Sequence, residues 1–146
     1  MAGSGEIAPV TSGNRVCIPV GVLHAVVWWK GTPLQVTAEL MCPGLLRIYS
    51  PADAQPLVDR LKAEAADLRQ AATLADRYRP LKLNEGGRLV LTKEVVALLG
   101  FALGEKPLLY TQPIPTGFSP TGIEIMSIEF RNSRLITSDR SLVDLE

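Results

Sequence analysis

The run Asn14-Arg15-Val16-Cys17-Ile18-Pro19, followed by Val22-Leu23, returns as Gly87-Arg88-Leu89-Val90-Leu91-Thr92, followed by Val95-Val96. The offset is 73 residues, and it carries Val26 onto Leu99 and Trp28 onto Phe101. Further on, Leu46-Arg47-Ile48-Tyr49-Ser50 matches Ile123-Glu124-Ile125-Met126-Ser127 at an offset of 77 residues. The extra residues fall in the Pro/Gly-rich stretch Pro113–Gly122, where lengthening a loop costs little. An internal repeat dictates the fold class more strongly than any local pattern, because both copies must fold alike. A unit of roughly forty residues cannot bury its own apolar face. The two copies are therefore expected to cover each other within one chain, around a pseudo-two-fold core.

Each copy reads as β-α-β-β. Arg15–Ile18 and Arg88–Leu91 are short strands rich in β-branched and leucine residues. Helices are expected over Val20–Trp28 after Pro19, and over Lys93–Leu99 after Thr92. Pro19 suits a helix first turn, and the Thr92 hydroxyl suits an N-cap. Gly31 and Gly100 stand where helices end. In Leu34–Leu40, apolar Leu34, Val36, Ala38 and Leu40 alternate with polar residues, the period of a half-buried strand. Its counterpart is Pro107–Thr111, and the closing strands are Leu45–Tyr49 and Ile123–Ile128. Between the copies, Gln55–Tyr78 carries Leu57, Leu61, Ala65, Leu68, Ala72 and Ala75 at helical spacing. Asp53 would cap this helix and Pro80 end it.

The organisation expected is a flexible segment 1–13, a first repeat 14–50, a connecting helix 51–80, a second repeat 81–130 and a tail 131–146. The fold class is mixed, mainly β with short helices: a pseudo-two-fold barrel of two tandem β-α-β-β repeats joined by a helix.

Hydrophobic residues make up 47% of the 146-residue chain, enough for a core, and the formal net charge is zero. A neutral total argues against strong nucleic-acid affinity unless basic groups are gathered on one face. Enzymatic chemistry finds little support. With His24 as the one histidine, a Ser–His–acid set is not credible, and Asn84-Glu85-Gly86-Gly87-Arg88 lacks the lysine and spacing of a phosphate loop. The spacing of Cys17 and Cys42 fits no zinc motif. They read as buried free thiols, with a Cys17–Cys42 disulfide as the alternative. Neither cofactor nor metal is expected. The longest apolar stretch, Val20–Trp29, is too short to span a bilayer, and the start of the chain does not read as a signal peptide. A cytoplasmic protein without membrane contact is expected.

The second copy, from Gly87-Arg88 through Thr92-Lys93-Glu94 to Leu99-Gly100-Phe101, resembles the AbrB-type swapped-hairpin transcription factors. In that family a Gly-Arg pair leads a short strand, and a Pro, a basic and an acidic residue open a helix ending at Leu-Gly. Pro19 of the first copy matches the family proline, which Thr92 replaces in the second. Two copies flanking a helix are similar to the tandem, MraZ-type branch of the family, over about Asn14–Ile128. The resemblance implies a swapped-hairpin β-barrel, a homo-oligomer, and binding of double-stranded DNA. Carried over by position, it implies DNA contacts from Arg15 and Arg88, with Asn14, Asn84 and Lys93 beside them. MraZ-type proteins place an Asp four residues before the motif Arg; here Thr11 and Asn84 stand there.

Three functions are weighed. One is a DNA-binding regulator acting as an oligomer through its arginine-bearing turns. The second is a diverged module, antitoxin-like or accessory, that no longer binds DNA and takes a protein partner. For it, Trp28 and Trp29 are the interface candidates, since exposed Trp favours interfaces. The third is a small-molecule role in a related barrel. Against DNA contact, each arginine could brace its own turn, and Lys82 and Lys93 read equally as ordinary surface lysines.

Overall fold

A computed structural model describes residues 5–26, 35–50, 55–56, 58–60, 63, 77–84, 87–114 and 122–134. Eight strands form a closed, wholly antiparallel barrel. They are β1 (Glu6–Thr11), β2 (Arg15–Cys17), β3 (Gln35–Cys42), β4 (Leu45–Tyr49), β5 (Tyr78–Asn84), β6 (Arg88–Val90), β7 (Leu108–Pro113) and β8 (Gly122–Ser127). Helices α1 (Val20–Ala25) and α2 (Lys93–Leu99) follow β2 and β6. Residues 128–134 are also helical and are labelled α3.

The order around the barrel is β1-β2-β6-β5-β3-β4-β8-β7. Exchanging β1–β4 with β5–β8 leaves this order unchanged. The register obeys the same exchange. Thr11 lies opposite Arg15 as Asn84 lies opposite Arg88, and Ala8 opposite Leu109 as Leu81 lies opposite Val36. The barrel thus has a pseudo-two-fold axis. It passes between Val16 and Leu89 on one wall and between Arg47 and Glu124 on the other.

The core is built from equivalent positions of both copies. Val10, Val16, Ile18, Val36, Leu46 and Ile48 are buried, as are their counterparts Leu83, Leu89, Leu91, Leu109, Ile123 and Ile125. Val22, Leu23 and Val26 with α1, and Val95, Val96 and Leu99 of α2, join the same cluster. Ala38 corresponds to Thr111, whose buried hydroxyl donates to the Glu6 carbonyl at 2.9 Å.

Several expectations are corrected. Segment 1–13, expected to be flexible, supplies β1, and the interval 51–80 ends in strand from Tyr78 onward. The repeated unit is therefore β-β-α-β-β, with a leading strand in each copy. Both leading strands contain proline, Pro9 and Pro80, which hid them. The ladder explains why proline is tolerated. β2 pairs with β1 only at Val10 and Thr11, and β6 with β5 only at Leu83 and Asn84, so each proline has one side unpaired. Helix α1 ends at Ala25 rather than Trp28; Trp28, Trp29 and Gly31 lie outside the described residues, as does the His24 side chain. Within the connecting segment the described positions 55–56, 58–60, 63 and 77 are helical; the rest of that helix's apolar stripe lies outside the description. The tail from residue 131 begins inside α3. Thr92 takes the N-cap position by its backbone, yet its hydroxyl makes no cap bond. Gly100 closes α2 in the left-handed conformation, as expected. Neither cysteine forms a disulfide, but Cys17 is exposed and Cys42 only half-buried.

Candidate nucleic-acid interface

Two tight turns set the arginines. In the first, Thr11 lies opposite Arg15, and Gly13 and Asn14 take φ of 78° and 54°. Asparagine is among the few residues that tolerate this region. Its equivalent 73 residues on is Gly87, at φ 83°. Two backbone bonds tie the turns together. Ile18 N–H donates to Gly87 O and Leu91 N–H to Asn14 O, each at 2.8 Å, and the exchange of copies interchanges them.

These turns launch β2 and β6 side by side. In a strand, successive side chains point to opposite faces. Val16 and Leu89 face the core, so Arg15, Cys17, Arg88 and Val90 face out. Arg15 lies opposite Val90, and Cys17 opposite Arg88. The two arginines are therefore diagonal neighbours, with Cα atoms about 7–8 Å apart in such a ladder. Both are exposed, and neither joins an ion pair among the described residues. Flanking strands extend the face with Pro9 and Thr11 of β1, and Pro80, Lys82 and Asn84 of β5, all exposed. Among the described residues, these outward positions of β1, β2, β5 and β6 hold three cations and no carboxylate.

The structure thus brings Arg15 and Arg88 together. Asn84 stands exposed opposite Arg88, its backbone carbonyl accepting from Gly87 N–H at 3.0 Å. Thr11 and Asn84 sit directly across the ladder from the two arginines. A carboxylate there could pair with guanidinium; an amide and a hydroxyl carry no charge to do so. Asn14 is half-buried, and its Oδ1 accepts from Gly104 N–H at 3.3 Å. Its role in the structure is to hold the turn. Lys93 is the exposed first residue of α2. The carboxyl of the next residue, Glu94, is held below its usual range chiefly by its own backbone N–H, with a smaller contribution from Arg79, 4.0 Å away. Trp28 and Trp29 cannot be placed on any surface, lying outside the described residues. Sequence reading weighed Lys82 as an ordinary surface lysine and passed over Cys17 as a member of this face. The alternation Leu81-Lys82-Leu83-Asn84 was the available signal for Lys82.

A cavity of about 530 Å³ runs beside the face, lined by Gln35 and by β5 from Pro80 to Asn84. Among the described residues its lining carries one ionisable side chain, Lys82. Among the described residues, no group of three His, Cys, Asp or Glu side chains could hold a metal ion, and no helix is long and apolar enough to cross a membrane.

Comparison with protein-family models and with curated proteins finds no match for this chain.

Proposed function

We propose that this chain is a DNA-binding regulator of the AbrB/MraZ type, a swapped-hairpin barrel that meets the duplex through the outward face of β2 and β6. The observation that carries the reading is the diagonal placement of Arg15 and Arg88, both exposed and without an ion pair among the described residues, on the strands beside the pseudo-two-fold axis. Guanidinium groups can clamp phosphate oxygens or read guanine with two parallel bonds. Lys82 adds a third cation to the same surface. With net charge zero, the local gathering of cations must supply the attraction. A homo-oligomer would set several such faces along one duplex.

Fluorescence anisotropy with mixed duplex DNA at two salt concentrations tests this. Binding should weaken with salt, and Arg15→Ala and Arg88→Ala should each weaken it further, lowering the slope of log affinity against log salt by about 1. Failure to bind even at low salt overturns the reading.

A second reading is a partner-binding module that has lost DNA affinity. One observation favours it. On the outer seam between β1 and β7, Ile7 and Leu108 are 51% and 53% exposed, with Pro9 directly opposite Leu108. At the equivalent seam between β5 and β3 stand Pro80, Lys82 and Gln35. Loss of DNA binding in the wild-type protein, together with saturable association through this seam, would decide for it.

A further inference from the structure

The two points where the pseudo-two-fold axis crosses the barrel wall differ in kind. At one, Val16 faces Leu89 inside the core. At the other, Arg47 of β4 faces Glu124 of β8 in direct register. Residues beside a two-fold axis are each other's equivalents. Were two first copies to pair, Arg47 would face Arg47; were two second copies to pair, Glu124 would face Glu124. Only a first copy with a second copy brings opposite charges together.

The contact is built to matter. Glu124 is 0% exposed. Its Oε2 accepts from Arg47 Nε at 3.0 Å and Nη2 at 2.9 Å. Its Oε1 accepts from Gln112 Nε2 at 2.8 Å and Arg134 Nη1 at 3.3 Å. Leaving one member of a buried pair without its partner is strongly destabilising, whatever the net worth of the intact pair. The neighbours in the same row follow the same asymmetry. Glu39 lies opposite Arg47 on β3, and its equivalent, Gln112, lies opposite Glu124 on β7. Each copy thus carries one carboxylate in this row, Glu39 or Glu124. Arg47 stands between the two.

We propose that the Arg47–Glu124 contact is a pairing code: it restricts barrel closure to one first copy with one second copy, within a chain or between two copies of this chain. Nothing else at the axis discriminates, because Val16 and Leu89 are both apolar and interchangeable in character.

Complementary charge reversals test it. Arg47→Glu and Glu124→Arg are made in separate full-length chains, each also carrying Arg134→Gln so that only the axis pair changes sign. Alone, each chain faces like charges in every pairing open to it, and its melting temperature should fall by roughly 10 °C or more. Unfolded together and refolded as a mixture, the chains can close barrels between them. In one such barrel the two substituted positions face each other with opposite charges; in the other, the unaltered Arg47 of one chain meets the unaltered Glu124 of its partner. The mixture should recover at least half of the lost melting temperature, with mixed dimers seen by native mass spectrometry. Subunit mixing in an oligomer without exchange of halves would restore no stability, so the two cases separate. The readout holds even when the single variants fail to fold alone. A mixture that melts as its separate components do overturns the proposal.

Discussion

Gly87 is the residue on which the second turn depends. Its φ of 83° lies where an L side chain costs about 1–2 kcal/mol. A methyl group there would also meet Leu23 Cδ1 at 2.9 Å and the Ile18 carbonyl oxygen at 3.3 Å. Gly104 has φ 90° and open space around it. Gly87→Ala should therefore destabilise by about 1–3 kcal/mol and Gly104→Ala by about 1, read from urea unfolding midpoints. Equal costs would show that the Leu23 and Ile18 contacts give way freely. At this scale the sequence was partly legible. The Gly-Arg pair pointed to a turn and an outward arginine, and both are present. Asn14 shows the limit: its left-handed φ and the bond its Oδ1 accepts from Gly104 N–H are not written in the local sequence. A lone Asn cannot announce which of its bonding groups the fold will consume.

At the scale of elements, legibility followed apolar content. Helix α2 matches its expected bounds, because Val95, Val96 and Leu99 sit at helical spacing between Thr92 and Gly100. Strands β1 and β5 went unread, since each has only a short apolar alternation interrupted by proline. Their pairing energy comes from the opposite copy, which no local window contains. The outer wall shows another non-local device. Glu39, 8% exposed, accepts from the phenols of Tyr49 and Tyr78, each at 3.0 Å, linking β3 to both β4 and β5. Burial and the neighbouring carboxylate push the Tyr78 phenol up to about 12 and raise that of Tyr49 as well. A phenol whose folded value lies above its unfolded one contributes stability that is complete below pH 10 and lost as pH rises through the folded value. Stability to urea should accordingly hold up to about pH 10 and decline between there and about pH 12. Tyr49→Phe should lessen the decline. A flat profile across that window would show that these phenols ionise as freely in the folded protein as in the unfolded chain.

For the whole molecule, the two-fold symmetry of backbone and register is not shared by the charges on the proposed DNA face. Arg88 has its counterpart in Arg15, but Lys82 corresponds to Pro9. The half of the face drawn from the second copy is the more basic. Duplexes selected from a random pool should therefore hold asymmetric sites, and Lys82→Ala should weaken binding where Pro9→Ala does not. Recovery of a palindrome would mean that Arg15 and Arg88 act as true equivalents. The zero net charge had made such a face look improbable, because a total says nothing of distribution.

Interleaving of the copies around the barrel also sets a timetable for synthesis. The Glu6 carbonyl accepts from the Thr111 hydroxyl, 105 residues later. At ribosomal speeds of about 5–20 residues per second, β1 must wait roughly 5–20 s for β7 to be made. Throughout that interval β1 offers an open edge, the kind of surface on which nascent chains join one another. Pro9 does not close that edge: Val10 N–H is the donor that meets the Pro107 carbonyl at 2.9 Å, so alternation turns the proline's missing donor to the other side, and the edge keeps its donors until its own partner emerges.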